Sequence, residues 1–470
     1  MLFNSLEYLI FLPITWMLFW SFPSRRIELL LVASYVFYAS WSLPYAGLVF
    51  SLVVANYLFG LVLGRTTSRR RALLAAFIAF DLGVLAIFKY ADFGMTSLAN
   101  GTNALLGLQW DPPLLKLVLP LGISFFTFEF IHYLVDIYRG DVPVHSFSKF
   151  HIFAAFFPTQ IAGPIKRFQD FVPSLARLDR FDSALASEGL YLIGRGLAKK
   201  MLLADRLSPL VARGFAAAAE GGIGTPDAWF ATLAFSLQIF FDFSGYTDIA
   251  RGSAALFGFR IPINFDAPYL ATSIADFWHR WHISLSTWLR DYVYIPLGGS
   301  RRPTPAVVRN LLITMLLGGL WHGAAWHFVA WGGFWGLGLA AHHLVRRRIA
   351  LPQTVPFLVA GWLFTQLYVL VAWVLFRADS FATAGAMLSA MAGHGASTGA
   401  LASRDGLFIG GIAAGLVVAS LLSRRGWRPR LVLPAGRSRP ILVGAAAGLA
   451  ILVASMAIPT GREAFIYFQF

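Results

Sequence analysis

Apolar segments of about 20 residues recur along this 470-residue chain, and short loops rich in arginine separate several of them. A helix needs about 20 apolar residues to span a bilayer, because every backbone polar group must be satisfied inside the segment. Charged residues make up 13% of the chain, whereas a soluble domain has roughly 25%. The sequence therefore predicts an all-α polytopic membrane protein with about 11–12 membrane-embedded helices.

We expect one membrane-embedded domain over residues 1–470, with its motifs concentrated in 115–345. The first segment lacks a basic start and a small-residue cleavage site, which indicates a membrane helix and not a removed signal peptide. The predicted spans lie near 2–20, 27–42, 45–64, 72–91, 114–138, 185–205, 227–244, 307–322, 326–344, 354–376, 406–423 and 440–457.

The net charge of +15 is concentrated in arginine-rich loops. Such loops stay in the cytoplasm, so the positive-inside rule places 65–71, 346–348 and 424–439 inside and both termini in the periplasm. The segment 92–113 has no Lys or Arg and is expected to be an external loop. No separate basic domain suggests a nucleic-acid partner. Because the chain has no cysteine, disulfides, thiolate metal sites and a cysteine-bound acyl intermediate are excluded.

Two regions, 146–170 and 259–302, are too polar to cross a bilayer simply. Non-helical or polar backbone survives at membrane depth only where it is buried in protein or lines a cavity. We therefore expect both regions to form re-entrant or in-plane elements around a central cavity. No internal repeat is visible, which counts against a transporter built from inverted halves.

His322 is the leading candidate for chemistry, because ionisable residues inside a membrane are usually functional. It follows Arg309 by 13 residues, which places it ~20 Å along a hydrocarbon core of ~30 Å. Neighbouring glycines at 318, 319 and 323 permit close approach of a ligand or a backbone. A buried neutral imidazole suits a general base or a transient acyl carrier. A histidine that only hydrogen-bonds between helices is an equally good interpretation of the spacing.

His279 and His282 are three residues apart, and on one helix they would share a face. With His322 they could form a three-histidine metal site. The sequence has no HExxH-type motif, so we predict no metal and no bound cofactor. A role for His282 in orienting the substrate is the favoured interpretation.

Several charged residues could meet an anionic ligand or simply hold the fold. Asp276, Arg280, Arg290 and Asp291 are expected to form ion pairs. Gly298 and Gly299 precede Arg301 and Arg302, and a glycine turn of this kind can present backbone N–H groups to phosphate. Anchoring to lipid headgroups is an alternative for the two arginines. Lys166 and Arg167 form a basic exit from the first polar region.

Asp242 and Asp248 lie six residues apart in the segment SLQIFFDFSGYTDIA. Two carboxylates beside an apolar run could act in a proton relay. The interpretation we favour is that these residues cap and pin a break in a helix.

The chain resembles the membrane-bound O-acyltransferase (MBOAT) family, and within it the AlgI-like proteins of alginate O-acetylation. The shared motifs keep their order from end to end. They are FLP at 11–13, ASYVFYASW at 33–41, FKYADFG at 88–94, LPLGISFFTFE at 119–129, IAGPIKRF at 161–168, FDFSGYTDIA at 241–250, FWHRWHISLSTWLRDYVYIPLGGSR at 277–301, RNLLITMLLGGLWHGA at 309–324 and FIYFQF at 465–470.

The resemblance implies a ring-like helical bundle around a tunnel, with His322 of the Trp321-His322-Gly323 motif inside it and His282 as a second functional histidine. It implies a bacterial inner-membrane acyltransferase that takes acetyl from a cytoplasmic donor, acetyl-CoA. A periplasmic SGNH-type partner would then modify an exported polysaccharide such as alginate. The alternatives are DltB-like D-alanyl transfer to teichoic acid and a proton-coupled transporter.

Overall fold

The computed structural model describes residues 1–178, 180–395, 403–424 and 465–466. Within these ranges the chain is helical without a β-strand, apart from an isolated bridge between Phe265 and Trp281, which confirms the all-α prediction. The helices are α1 Leu6–Ser21, α2 Arg26–Ala39, α3 Leu43–Arg65, α4 Arg70–Lys89, α5 Ala91–Leu106, α6 Ile123–Arg139, α7 Phe147–Ala155, α8 Phe168–Ser174, α9 Ser183–Leu197, α10 Asp205–Ala219, α11 Thr225–Leu256, α12 Ile274–Arg280, α13 Ile283–Leu289, α14 Thr304–His322, α15 Trp326–Arg348, α16 Val355–Arg377, α17 Phe381–Ser389 and α18 Ser403–Arg424.

Four of these helices are long and apolar enough to cross a bilayer, namely α3, α4, α14 and α16. A fifth candidate joins α1 to the segment Pro23–Ala39 through a bend of 113°. The other predicted spans up to residue 423 fall on helices that are shorter or less apolar in the described part of the chain. The predicted span 440–457 and most of the 424–439 arginine cluster lie outside the described residues.

The prediction of a loop over 92–113 was wrong for its first part, because residues 91–106 form α5. The Thr, Ser and Asn residues of this helix make it too polar to be recognised as a membrane span from its hydropathy. It ends at Gly107, whose φ of +66° suits a residue without a side chain. The returning chain is tied to its first turn, since the Asp92 carboxylate accepts the N–H groups of Leu115 and Lys116.

The two polar regions are broken into short pieces, and their re-entrant or in-plane position stays a prediction. In the first, α7 and α8 flank an irregular stretch from Phe156 to Arg167. In the second, α12 and α13 are followed by a π-helical turn at Arg290–Tyr294 and a 3-10 turn at Gly299–Arg301. No helix in either region is long enough to span a membrane.

The chain divides into two compact units. The first unit contains Met1–Leu190 and Ile249–Pro262. Its core is aromatic, with the rings of Tyr8, Phe37 and Phe157 between 5.7 and 6.4 Å apart. The second unit contains Tyr191–Asp248 and Ile263–Phe470, and His279, His282 and His322 belong to it.

A helical hairpin of α14 and α15 fixes the backbone around His322. The helices meet at Gly319 and Gly332, where a Cβ on Gly319 would lie 3.0 Å from the Cα of Gly332 and would collide with the carbonyl oxygen of Phe328. Small residues allow such close contact between backbones in membrane helices. Gly319, one of the glycines noted in the sequence, therefore serves helix packing.

Candidate active site

His322 is the last residue of α14 and is buried. The next residue, Gly323, continues in extended backbone, which any residue could adopt. A side chain there would nevertheless collide with the ring of Phe328. The Trp-His-Gly motif thus requires glycine for space, so that the chain can turn tightly from α14 into α15 directly after the histidine.

Aromatic rings enclose His322 on several sides. The ring centroids of Trp321, Trp331 and Phe376 lie 4.9, 5.0 and 5.2 Å from the imidazole centroid, all in edge-on arrangements. These side chains come from α14, α15 and α16. The imidazole is therefore held in a rigid apolar surround, which restricts its rotation and excludes bulk water.

His282 comes close to the same group of rings. It is completely buried, and its ring lies 4.7 Å from Phe243 and 6.1 Å from Trp321. Trp321 thus contacts both histidines. The structure brings together three of the predicted site residues, Trp321, His282 and His322.

The prediction that His279 and His282 share one helix face was wrong. Helix α12 ends at Arg280, and His282 caps α13 in the left-handed region with φ +44°. The break turns His282 into the interior, while His279 remains exposed on α12. The periodicity of a helix cannot anticipate this separation, because a single left-handed residue changes the direction of the chain.

Burial lowers the pKa of His282 to about 3, because the charged imidazolium would lose its hydration. His282 lies outside the helices long enough to span a membrane. Its imidazole is therefore neutral throughout the physiological range. A neutral ring can donate a hydrogen bond through one nitrogen and accept one through the other, and so orient a polar group.

A cavity of about 520 Å³ opens beside this region of the second unit. It is bordered by α12, α13, the π-helical turn, α14 and α15, and its lining includes Trp278, His279, Arg290 and Tyr294. A pocket that size lies within the range of small-molecule sites.

The predicted ion pairs around α12 are confirmed. Arg280 binds Asp276 at 2.7 Å, and Arg290 binds Asp291 at 2.7 Å. The Arg290 side chain is still 60% exposed at the cavity. Arg301 and Arg302 are exposed after the turn at Gly298 and Gly299, which have φ of +110° and +56°.

The remaining basic candidates belong to the first unit. Lys166 is buried, and its ammonium group donates to both carboxylate oxygens of Glu129 at 2.8 and 2.9 Å. Arg167, the next residue, is half-buried. Glu129 lies 37 residues before Lys166 in the chain, so this ion pair could not be predicted from the local sequence.

Asp242 lies in the middle of α11, which runs unbroken from Thr225 to Leu256, so the expected helix break was wrong. Its carboxylate accepts from Lys200 at 2.6 Å and from the backbone N–H of Ile466 at 2.7 Å. Lys200 also pairs with Asp205 at 2.9 Å. These groups form a buried charge cluster of Lys200, Asp205 and Asp242 in the second unit.

A second carboxylate of α11 is paired in the same manner. Asp248 binds Arg195 at 2.5 Å and Lys199 at 2.7 Å. A π-helical turn at Ala198–Ala204 contains Lys199 and Lys200. Our sequence reasoning missed these basic partners, although two lysines within the apolar segment 185–205 were the available signal.

Comparison with known families decides the class of this chain. The model described as "MBOAT, membrane-bound O-acyltransferase family" matches residues 123–382. The chain belongs to the membrane-bound O-acyltransferase family. It is therefore an acyltransferase and a multi-pass bacterial membrane protein, and the transporter alternative is set aside. All nine candidate site residues of this MBOAT chain lie inside the matched range.

Individual relatives cover most of the MBOAT chain. It is 44% identical over 408 residues to "Probable alginate O-acetylase AlgI" of Azotobacter vinelandii, which covers 84% of this chain and 79% of the relative. It is 35% identical to the "Peptidoglycan O-acetyltransferase" of Helicobacter pylori, over 77% of this chain and 73% of the relative. The "Teichoic acid D-alanyltransferase" of Streptococcus thermophilus is 32% identical over 51% of this chain and 58% of that protein.

No metal centre is evident in the part of this MBOAT chain that the structure describes. No group of three His, Cys, Asp or Glu side chains is arranged there to hold a metal ion. His282 and His322 are each surrounded mainly by aromatic rings.

Proposed function

We propose that this acyltransferase takes an acetyl group from cytoplasmic acetyl-CoA and passes it across the inner membrane for O-acetylation of an exported polysaccharide such as alginate. A periplasmic SGNH-type protein would complete the transfer, and both termini would lie in the periplasm. The relatives named as alginate O-acetylases, with 44% and 43% identity over 84% of the chain, support the acetyl group and the polysaccharide.

The observation that carries the proposal is the grouping of His322 and His282 around Trp321. His322 sits at the end of an apolar helix long enough to span a membrane, inside a shell of aromatic rings. Such a site can hold a neutral imidazole away from water, where an acyl thioester is protected from hydrolysis.

Two chemical roles are open to His322. As a general base, its imidazole accepts the proton of the acceptor hydroxyl while that oxygen bonds to the thioester carbonyl carbon. The C–S bond then breaks, and the imidazolium returns the proton to the departing thiolate. As an acyl carrier, the imidazole nitrogen itself bonds to the carbonyl carbon, the C–S bond breaks, and the thiolate leaves with the proton of the other ring nitrogen. The acetyl group then passes to the acceptor hydroxyl, whose proton returns to the imidazole.

The donor would reach His322 through the cavity beside α12 and α13. Arg290 is exposed there, and its planar guanidinium group suits the phosphates of a coenzyme A donor. Arg301 and Arg302 follow the nearby glycine turn and would extend the positive surface. Lys166, Arg167 and Asp242 have buried or partly buried structural contacts, so we assign them to support of the fold and not to the donor.

D-alanyl transfer is the second candidate within the same enzyme class. The D-alanyltransferase of Streptococcus thermophilus matches 51% of the chain at 32% identity. The O-acetylase of Azotobacter vinelandii matches 84% at 44%. Acetyl transfer is therefore the function we propose.

The proposal is tested with labelled acetyl-CoA supplied to membrane vesicles that contain the chain and its polymer-modifying partner. We expect label to reach polymer only in inside-out vesicles, because the donor site faces the cytoplasm. The variant His322→Ala should lose at least about 10²-fold in rate, the usual contribution of a general base. The matched control is His327→Ala, since His327 bonds to the carbonyl oxygen of Leu375 and lies outside the histidine pair.

Full activity in a well-inserted His322→Ala protein would overturn the proposed site. Label transfer from D-alanyl donor and none from acetyl-CoA would establish the second candidate. Trapping of labelled acetyl on the protein, lost in His322→Ala, would decide for the acyl-carrier role.

A further inference from the structure

Three buried tryptophans near the histidine pair have indole nitrogens without a hydrogen-bond acceptor among the described residues. They are Trp278, Trp331 and Trp335, with exposures of 8%, 1% and 0%. Buried N–H groups are normally paired, and each exception calls for an explanation. An indole N–H can only donate, so the missing partner must be an acceptor.

Trp331 is the member of this set that faces His322. Its ring centroid is 5.0 Å from the imidazole, at an interplanar angle of 83°. Trp335 lies 6.3 Å from Trp331, with its own ring stacked at 5.2 Å on Phe277. Of these three indoles, Trp331 is therefore the one whose ring packs against the histidine.

The backbone under Trp331 is fixed. Its neighbour Gly332 packs directly on α14, where a Cβ would lie 3.1 Å from the Cα of Gly319, one turn before His322. An indole attached to a backbone that is fixed in this way needs little reorganisation during a reaction. This preorganisation is what makes hydrogen-bond donors effective in stabilising a developing charge.

Trp278 connects this donor to the cavity. It lines the cavity of about 520 Å³, and its ring lies 6.0 Å from that of Trp331. Trp278 thus lies at the cavity and packs beside Trp331, which in turn packs beside His322.

We propose that the indole N–H of Trp331 donates a hydrogen bond to the carbonyl oxygen of the acyl group while that group reacts at His322. This inference rests on the proposed function. The oxygen becomes negatively charged when the new bond forms at the carbonyl carbon. When the C–S bond breaks, the C=O double bond re-forms and the negative charge leaves on the thiolate sulfur. The indole proton stays on nitrogen throughout, so Trp331 stabilises charge and transfers no proton.

The test removes the N–H and keeps an aromatic ring. Trp331→Phe should lower kcat for acetyl transfer from acetyl-CoA by about 10²-fold, the loss typical of one oxyanion donor, with little change in KM. Trp335→Phe is the matched control, because Trp335 is equally buried and has an equally unpaired indole. Both variants lose the same ring volume, so their melting temperatures should fall by similar amounts, and Trp335→Phe should retain activity within about twofold.

Equal activity of Trp331→Phe and Trp335→Phe would overturn the inference. So would a loss in Trp331→Phe that follows a lower melting temperature than that of the control, since the role would then be packing. His322→Ala separates this failure from that of the proposed function. If His322→Ala is inactive and the two tryptophan variants are alike, only the role of Trp331 falls; if His322→Ala is active, the site itself is wrong.

Discussion

His282 holds a backbone conformation that a residue with a side chain adopts at a cost of roughly 1–2 kcal/mol. Its φ of +44° and ψ of +54° lie in the left-handed region. The conformation is supported by neighbours: the N–H of Ile283 donates to the carbonyl oxygen of Asn264, and that of Ser284 donates to the Asn264 side chain. Strain of this kind is often found at functional sites.

We predict that His282→Ala loses most of the acetyl-transfer activity, because its ring contacts Trp321, which also contacts His322. His282→Asn is the companion variant, since asparagine tolerates the left-handed region and preserves the turn. It should insert and fold normally and still be inactive. The measurement is polymer acetylation normalised to the amount of protein in the membrane.

The control for this experiment is His279→Ala. His279 is exposed at the end of α12, so its loss should leave most of the activity. If His279→Ala were inactive and His282→Ala active, the roles assigned to the two histidines would have to be exchanged.

At the scale of elements, the α14–α15 hairpin determines where His322 and Trp331 lie. The hairpin depends on glycines that leave no space for even one methyl group. A Cβ on Gly332 would collide with the carbonyl oxygen of Met315 and approach the Cα of Gly319 to 3.1 Å. Backbone atoms cannot move aside as the end of a side chain can.

We predict that Gly332→Ala separates the two helices and destabilises the protein by about 1–3 kcal/mol, the usual effect of overpacking. Activity should fall with stability, because the distance between Trp331 and His322 depends on this contact. Gly333→Ala is the control at the next residue, where the nearest atom, Cδ2 of Leu316, would be 3.5 Å away. Thermal denaturation in detergent compares the two, and equal melting temperatures would show that the hairpin tolerates the methyl group.

Elements whose cause is local can be predicted from the sequence, and those that depend on distant partners cannot. Hydropathy located α3, α4, α14 and α16, because a spanning helix is a local property of about 20 residues. It missed α5, which is polar. The helix break predicted at Asp242 was wrong, because this carboxylate is paired with Lys200 and lies within a continuous helix. Lys200 is 42 residues away in the chain, so the pairing could not be seen locally in the sequence.

The site was partly visible in the sequence. Trp321, His322 and His282 could be named from their motifs, and the structure brings them together. Trp331 could not be, because an unpaired indole is defined by its three-dimensional surroundings. The separation of His279 from His282 depends on one residue with positive φ, which a histidine gives no reason to expect.

For the whole molecule, the charge distribution predicts the orientation in the membrane. Arg65, at the end of α3, and Arg70, at the start of α4, flank a loop that should lie in the cytoplasm. The same rule places Arg346–Arg348 inside and both termini in the periplasm. Fusions of alkaline phosphatase at Phe470 should be active, whereas fusions after Thr66 or Arg348 should be inactive.

A cytoplasmic fluorescent reporter at the same three positions provides the complementary measurement, with the opposite pattern expected. Fluorescence at Phe470 without phosphatase activity would reverse the predicted orientation of the C-terminal end. It would leave the acyltransferase class unaffected, since that class rests on family membership.

The bond from Ile466 to Asp242 also has a consequence for the synthesis of the protein. Ile466 and Asp242 are 224 positions apart. The hydrogen bond can therefore form only after the ribosome has synthesised all the helices described above. The ring of Phe465 reaches Lys200 at 4.7 Å in the same event. A chain that stops before residue 465 therefore leaves this buried carboxylate without the backbone donor that it binds here.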